Sequence, residues 1–127
     1  TSITAPSDVR LKEDIQDETI GMAFINDLRP VTFRWKKAGD IPSTLKGYEK
    51  DSEERVMNGK YNHGFIAQEV KTAIDKYNFK EGFDMWSESE VDGKQRVGEA
   101  ELIPILVKAI QELSQKVNEL EEKLNDN

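Results

Sequence analysis

The sequence predicts an α+β fold: a small globular part of short helices and β-hairpin arms, ending in a long C-terminal helix that forms a coiled coil. Three observations carry this reading. The last part of the chain holds an unbroken heptad seam, residues 31–36 alternate apolar and polar side chains, and two short stretches near Phe24 and Val70 follow a helical period. At 127 residues the chain is the size of one domain. Its hydrophobic share of 36% is nearly matched by 34% charged residues, a balance that points to an elongated or oligomeric shape rather than a compact globule.

Residues 1–6 are small, polar and closed by Pro6, as in an extended linker. From Asp17, a candidate N-cap, Ile20, Ala23, Phe24 and Leu28 fall near a 3.6-residue period, and Arg29-Pro30 ends that helix. Val31, Phe33 and Trp35 alternate with Thr32, Arg34 and Lys36, the signature of a strand with one buried face. Residues 37–62 are polar and rich in turn formers, including Asn58-Gly59, and read as a long arm that adds little to the core. Apolar character returns at Phe65 and Ile66, and Val70, Ala73, Ile74 and Tyr77 place a second helix over residues 67–77. Residues 79–97 read as a hairpin turning at Asp92-Gly93.

The C-terminal seam is the strongest signal. Ile103, Leu106, Ile110, Leu113, Val117, Leu120 and Leu124 recur at alternating spacings of three and four, with Pro104 in the first turn, where its missing N–H costs nothing. Lys116 and Glu121 fall at g and e positions suited to an interchain ion pair. β-branched residues at a with Leu at d favour two strands. The additional apolar residues Leu102, Ile105, Val107 and Ala109 widen the first half of the stripe, which suits either more than two helices or a helix that also packs on its own globule.

Composition removes several function classes. There is no cysteine and one histidine, so thiol catalysis, disulfide scaffolds and the usual zinc sites fall away, and no metal or cofactor is expected. Eighteen Lys and Arg against 25 Asp and Glu give a net charge of -7, which disfavours nucleic acid. No apolar run approaches the ~20 residues of a membrane span. Among motifs, a Gly-rich phosphate loop and the common hydrolase signatures are missing. One segment remains, Ser7-Asp8-Val9-Arg10-Leu11-Lys12. A serine becomes a nucleophile when a base takes its proton, and a desolvated lysine can be that base. Five residues apart, Ser7 and Lys12 lie about 140° apart on a helix and on opposite faces of a strand, so a turn or a neighbouring subunit has to join them. The plainer reading has Ser7 capping a turn while Asp8 pairs with Lys12.

In order along the chain, residues 7–15 (SDVRLKEDI), Leu28-Arg29-Pro30-Val31 leading to Phe33-Arg34-Trp35, His63-Gly64-Phe65-Ile66-Ala67-Gln68-Glu69-Val70, and residues 102–113 (LIPILVKAIQEL) together resemble one family. It is the C-terminal intramolecular chaperone domain of phage tailspikes, tail fibres and neck appendages, the self-cleaving group that includes the endosialidase chaperone. The resemblance implies that residues 1–6 end an upstream fibre and residues 7–127 form the chaperone, globular to about 99 with its coiled-coil helix over about 100–125. It further implies a homotrimer that registers the upstream fibre of the same polypeptide in the host cytoplasm during virion assembly. The trimer then frees itself by single-turnover autoproteolysis at Pro6–Ser7. Ser7 matches the family's nucleophile and Lys12 its base; His63 matches a supporting histidine, and Asp8 and Arg10 match positions that shape the site. Two other functions compete: a structural trimerisation cap that never cleaves, and a receptor-binding tip, which would gather Tyr48, Tyr61 and Trp86 into one patch.

Overall fold

The computed structural model describes residues 4–126; residues 1–3 and 127, and with them half of the expected linker, lie outside the described part. The chain begins as an exposed arm interrupted by one 3₁₀ turn at Val9–Leu11. It then runs through helix α1 (Met22–Asn26), strands β1 (Val31–Arg34) and β2 (Tyr61–Gly64), helix α2 (Ala67–Ile74), strands β3 (Trp86–Glu88) and β4 (Gln95–Val97), and helix α3 (Leu102–Asn125). The α+β class and the long C-terminal helix are as the sequence predicts.

Helix α1 is shorter than expected and starts later. Asp17 caps nothing, and residues 12–19 are exposed and non-helical; the helix starts after Gly21. The reason is tertiary. Gly21 lies against α3 so closely that a Cβ there would stand 3.1 Å from the Ala109 backbone nitrogen and 2.1 Å from Glu112 Oε1. The Met22 N–H, one of the unpaired donors of a helix start, donates to that same Glu112 oxygen at 3.1 Å. The cap therefore comes from a residue 90 positions away, which local sequence rules cannot show.

Strand β1 pairs antiparallel with β2, Val31 opposite Gly64 and Thr32 opposite His63. Val31 and Phe33 are half-buried while Thr32 and Arg34 are exposed, so the alternation in the sequence is the alternation in space. Between the two strands, residues 37–60 fold as an irregular hairpin with a bridge at Lys37 and Arg55 and further backbone bonds from Ala38 N–H to the Glu54 carbonyl and from Val56 N–H to the Lys36 carbonyl, and they do contribute one buried side chain, Ala38. Asn58-Gly59 is a bend before β2, stabilised by the Asn58 side chain accepting from the Lys60 N–H at 3.0 Å, rather than a tight hairpin turn. Strands β3 and β4 form the expected hairpin, with Gly93 at φ 74 in the turn. The two loops meet there: Asp92 accepts from the Lys46 N–H at 3.0 Å, and its side chain is only 8% exposed.

Phe24, Val70, Ala73, Met85, Leu102 and Ile105 make the core, each 5% exposed or less. Phe24 meets Tyr77, Phe79 and Phe83 edge-on, and the last two rings stack at 4.0 Å. Trp86 packs against this core with Lys71 over its ring, whereas Tyr61 sits on the other sheet beneath Arg34, so the aromatics named for a receptor patch serve separate parts of the fold.

Helix α3 has 24 residues, about 36 Å of helix, and it has two apolar faces. Leu102, Ile105 and Ala109 are 2–7% exposed against the globule. The seam faces away: Ile103, Leu106, Ile110, Leu113, Val117, Leu120 and Leu124 are 39–74% exposed. Every residue from 113 to 126 is exposed, so the second half of the helix projects beyond the globule. Much of the extra apolar width thus packs within the chain. Val107, 49% exposed, still broadens the uncovered stripe.

Candidate functional site

The arm brings together the two residues that regular structure would keep apart. Residues flanking Val9–Leu11 are extended, with Asp8 at ψ 132 and Lys12 at ψ 146, and the single 3₁₀ turn between them folds the chain back. Leu11 N–H donates to the Asp8 carbonyl at 3.0 Å and Lys12 N–H to the Val9 carbonyl at 3.1 Å. The result is a 2.6 Å hydrogen bond from Lys12 Nζ to Ser7 Oγ.

Asp8 builds this turn. Its carboxylate accepts the Arg10 backbone N–H at 2.9 Å, the N-cap bond of a helix start, and also grips the Arg10 guanidinium through Nε at 3.1 Å and Nη2 at 2.8 Å. The Arg10 side chain, and then its N–H, hold the Asp8 carboxyl below the usual range, while the same pairing raises the guanidinium. Asp8 therefore pairs with Arg10 and not with Lys12, leaving Lys12 free to reach Ser7. None of the described residues covers the site. Ser7, Arg10 and Lys12 are exposed, as are Val9 at 69%, Leu11 at 75% and Ile15 at 65%.

His63 stands elsewhere. It lies on β2 in a shallow groove with Thr32, Phe65 and Glu99, and no hydrogen bond joins it to Ser7 or Lys12. Among the described residues no cluster of His, Cys, Asp and Glu could hold a metal ion, and no helix is long and apolar enough to cross a membrane.

Sequence reasoning passed over one pair. Arg29 Nε and Nη2 donate to the two carboxylate oxygens of Glu69 at 2.9 and 2.6 Å, tying the Leu28-Arg29-Pro30-Val31 motif to the start of α2. The Arg29 bond holds the Glu69 carboxyl low. Both residues stood in the quoted motifs, and their opposite charge was the available signal. Close by, the Tyr77 hydroxyl donates to Asp27 at 2.7 Å, which raises the phenol.

These features define a class: a small α+β domain that carries a hydroxyl and amine pair on an exposed arm and ends in a helix with an uncovered apolar seam. The peptidase-family model described as the chaperone of endosialidase matches residues 7–79, from the serine of the pair to the end of the region around α2, and the chain belongs to this family. Membership makes it an intramolecular chaperone domain of the phage tail-protein kind, associated with an upstream part of its own polypeptide. Among curated proteins none matches the chain.

Proposed function

We propose that this domain trimerises and registers an upstream phage fibre, tailspike or appendage, and then releases itself by autoproteolysis at Pro6–Ser7 with Ser7 as nucleophile and Lys12 as base. The 2.6 Å contact between Lys12 Nζ and Ser7 Oγ is the observation that supports it most directly. A charged lysine donates in this contact. A neutral one accepts, and the hydroxyl then becomes the donor that a base can deprotonate.

Neutral Lys12 takes the proton from Ser7 Oγ as that oxygen attacks the Pro6 carbonyl carbon. The Pro6–Ser7 amide bond breaks, an ester forms between the Pro6 carbonyl and Oγ, and the proton passes from Lys12 to the departing Ser7 amine. Water then hydrolyses the ester, leaving a carboxylate on Pro6 and the hydroxyl restored on Ser7. Burial is what makes lysine a base, because an ammonium loses its proton more readily out of water. In the single chain Lys12 is exposed, so assembly has to supply that burial and cleavage becomes a report of assembly.

The seam on α3 supports association. The apolar stripe on the projecting helix is left exposed by the described residues of its own chain, and isolated helices of this kind gain their stability by packing. Exposed Val107 beside the a and d positions widens the stripe toward three strands. A chaperone trimer also answers a kinetic need: interchain β-structure forms slowly, while a helical seam forms fast and raises the effective concentration of the chains. The release step belongs to the host cytoplasm during virion assembly, after which the fibre cannot retrace its folding path.

The test is the domain with its native upstream segment, read by intact mass, N-terminal sequencing and light scattering. We expect a trimer, a released fragment starting at Ser7, and complete loss of release in Ser7→Ala and Lys12→Ala. Leu113→Asp with Val117→Asp should give monomers and no release. An uncut wild-type trimer would leave the structural cap as the function.

A further inference from the structure

The groove around His63 measures about 530 Å³ and is formed where β1 and β2 meet the turn that leads into α3. Pro30, Val31 and Phe65 give it apolar walls, and Glu99 is its one carboxylate. None of its lining comes from the arm, although the arm exposes Val9, Leu11 and Ile15 with no cover of their own. We propose that this groove receives the residue 7–12 arm of a second copy of the chain, so that each Ser7–Lys12 pair is enclosed by a neighbouring subunit. The inference rests on the self-cleaving trimer proposed above and names what completes its active site.

Two arguments choose this groove and this occupant. The first is position. Glu99 stands four residues before Ile103, the first seam residue, so one wall of the groove lies about one helical turn from where the seam begins. The second is charge. Over residues 7–12 the Asp8–Arg10 pair leaves Lys12 as the one cation outside an ion pair, and the groove sets against it mostly apolar walls with a single carboxylate, Glu99. A second concavity, lined in part by residues 16–20, has Asp17, Glu18, Glu81 and Glu101 around it against one cation, Lys80. That many carboxylates would hold a lysine in its charged form, the opposite of what the chemistry needs. The groove beside His63 instead sets the amine against the apolar walls of Pro30, Val31 and Phe65, and it can take the arm with its 3₁₀ turn and its Ser7–Lys12 contact intact.

Mixed trimers test it. Thr32 lies in the groove and is exposed on β1, where an aromatic residue is well accommodated, so Thr32→Trp fills the groove without touching the core. Thr32→Trp alone should form trimers that do not cut. Co-assembled with an equal amount of Ser7→Ala, whose groove is open, roughly half of the Thr32→Trp chains should be cut, since each arm meets one neighbour around a closed ring. Cutting of Thr32→Trp alone at the wild-type rate would overturn the proposal, as would Thr32→Trp chains that stay uncut in mixed trimers, which would place each arm in its own groove. Trapping decides the matter independently of cleavage. The chain has no cysteine, so in the Ser7→Ala background Leu11→Cys with Thr32→Cys forms disulfides only among the introduced sites, and the two single-cysteine variants, which lack the mixed pair, should stay uncross-linked. We expect cross-linked chains of double and triple mass on a non-reducing gel; a disulfide within one chain, or none, refutes the neighbour's groove. Wild-type chains that fail to cut while the cross-link forms would sink the peptidase reading and leave the docking standing.

Discussion

The arm and the globule hold their carboxylates in the same way but at very different range. In the arm, Asp8 grips Arg10 two residues away, and the whole turn from Ser7 to Lys12 is closed by bonds inside six residues. In the globule, Glu69 grips Arg29 across 40 residues and Glu112 caps α1 across 90. The Ser7–Lys12 contact is thus assembled without any tertiary structure, while everything that could bury it depends on tertiary and quaternary structure. A site built this way has its atoms in place early and its environment late, which suits the proposed release that waits on assembly.

The largest expected effect lies wholly in the globule. Phe24 is fully buried and touches three aromatic rings, so Phe24→Ala should cost about 3–5 kcal/mol in urea unfolding followed by circular dichroism. The Arg10 amide shift, which reports the Asp8 cap, should not move under conditions where the variant remains folded. A coupled change would show that the arm leans on the core after all.

Gly21→Ala comes next. An added Cβ would meet Glu112 Oε1 at 2.1 Å, Lys108 Cγ at 2.8 Å and the Ala109 nitrogen at 3.1 Å. The two side chains can swing away, but Glu112 then abandons the Met22 N–H and the α3 backbone must yield by a few tenths of an ångström. We expect a loss of about 1–3 kcal/mol in the same urea assay. A neutral result would mean that α1 and α3 are not registered through this contact.

What the sequence made legible follows the range of the forces involved. The alternation at Val31 and Phe33, the period of Val70 and Ala73 and the heptads of α3 are short-range patterns, and each appears in the fold where its pattern put it. The start of α1 was misread because Asp17 satisfies the local rule for a cap, while the real cap, Glu112, is supplied by packing. Met85 went unremarked as a core residue for the same reason: it lies in a loop just before β3, with no periodicity to mark it, and is fully buried. At the site, spacing alone argued against Ser7 meeting Lys12, since neither helix nor strand joins them. A lone 3₁₀ turn does, and its signal was present in Asp8, a good N-cap residue two positions before the Arg10 N–H it binds.

The smallest effect is the most discriminating, because it sets the two arginine-held carboxylates side by side. Both groups titrate below their ordinary values of 3.8 for Asp8 and 4.5 for Glu69, chiefly through the side-chain hydrogen bonds to Arg10 and Arg29. A lowered folded value means that each contact contributes fully above the ordinary value and is lost as pH falls through the lowered one, so the Asp8 contact should weaken only below 3.8 and the Glu69 contact only below 4.5. Carbon-detected NMR titration of the Ser7→Ala chain between about pH 2 and 6 should place both midpoints below those ordinary values. Urea then separates them. The Glu69 midpoint should return to its ordinary value along the cooperative unfolding transition, because Arg29 is brought to it by the fold. The Asp8 midpoint should relax gradually, with no step at that transition, because Arg10 is two residues away in any state of the chain. A cooperative step in both would mean that the arm is held by the globule, and the independence of the Ser7–Lys12 turn would have to be given up.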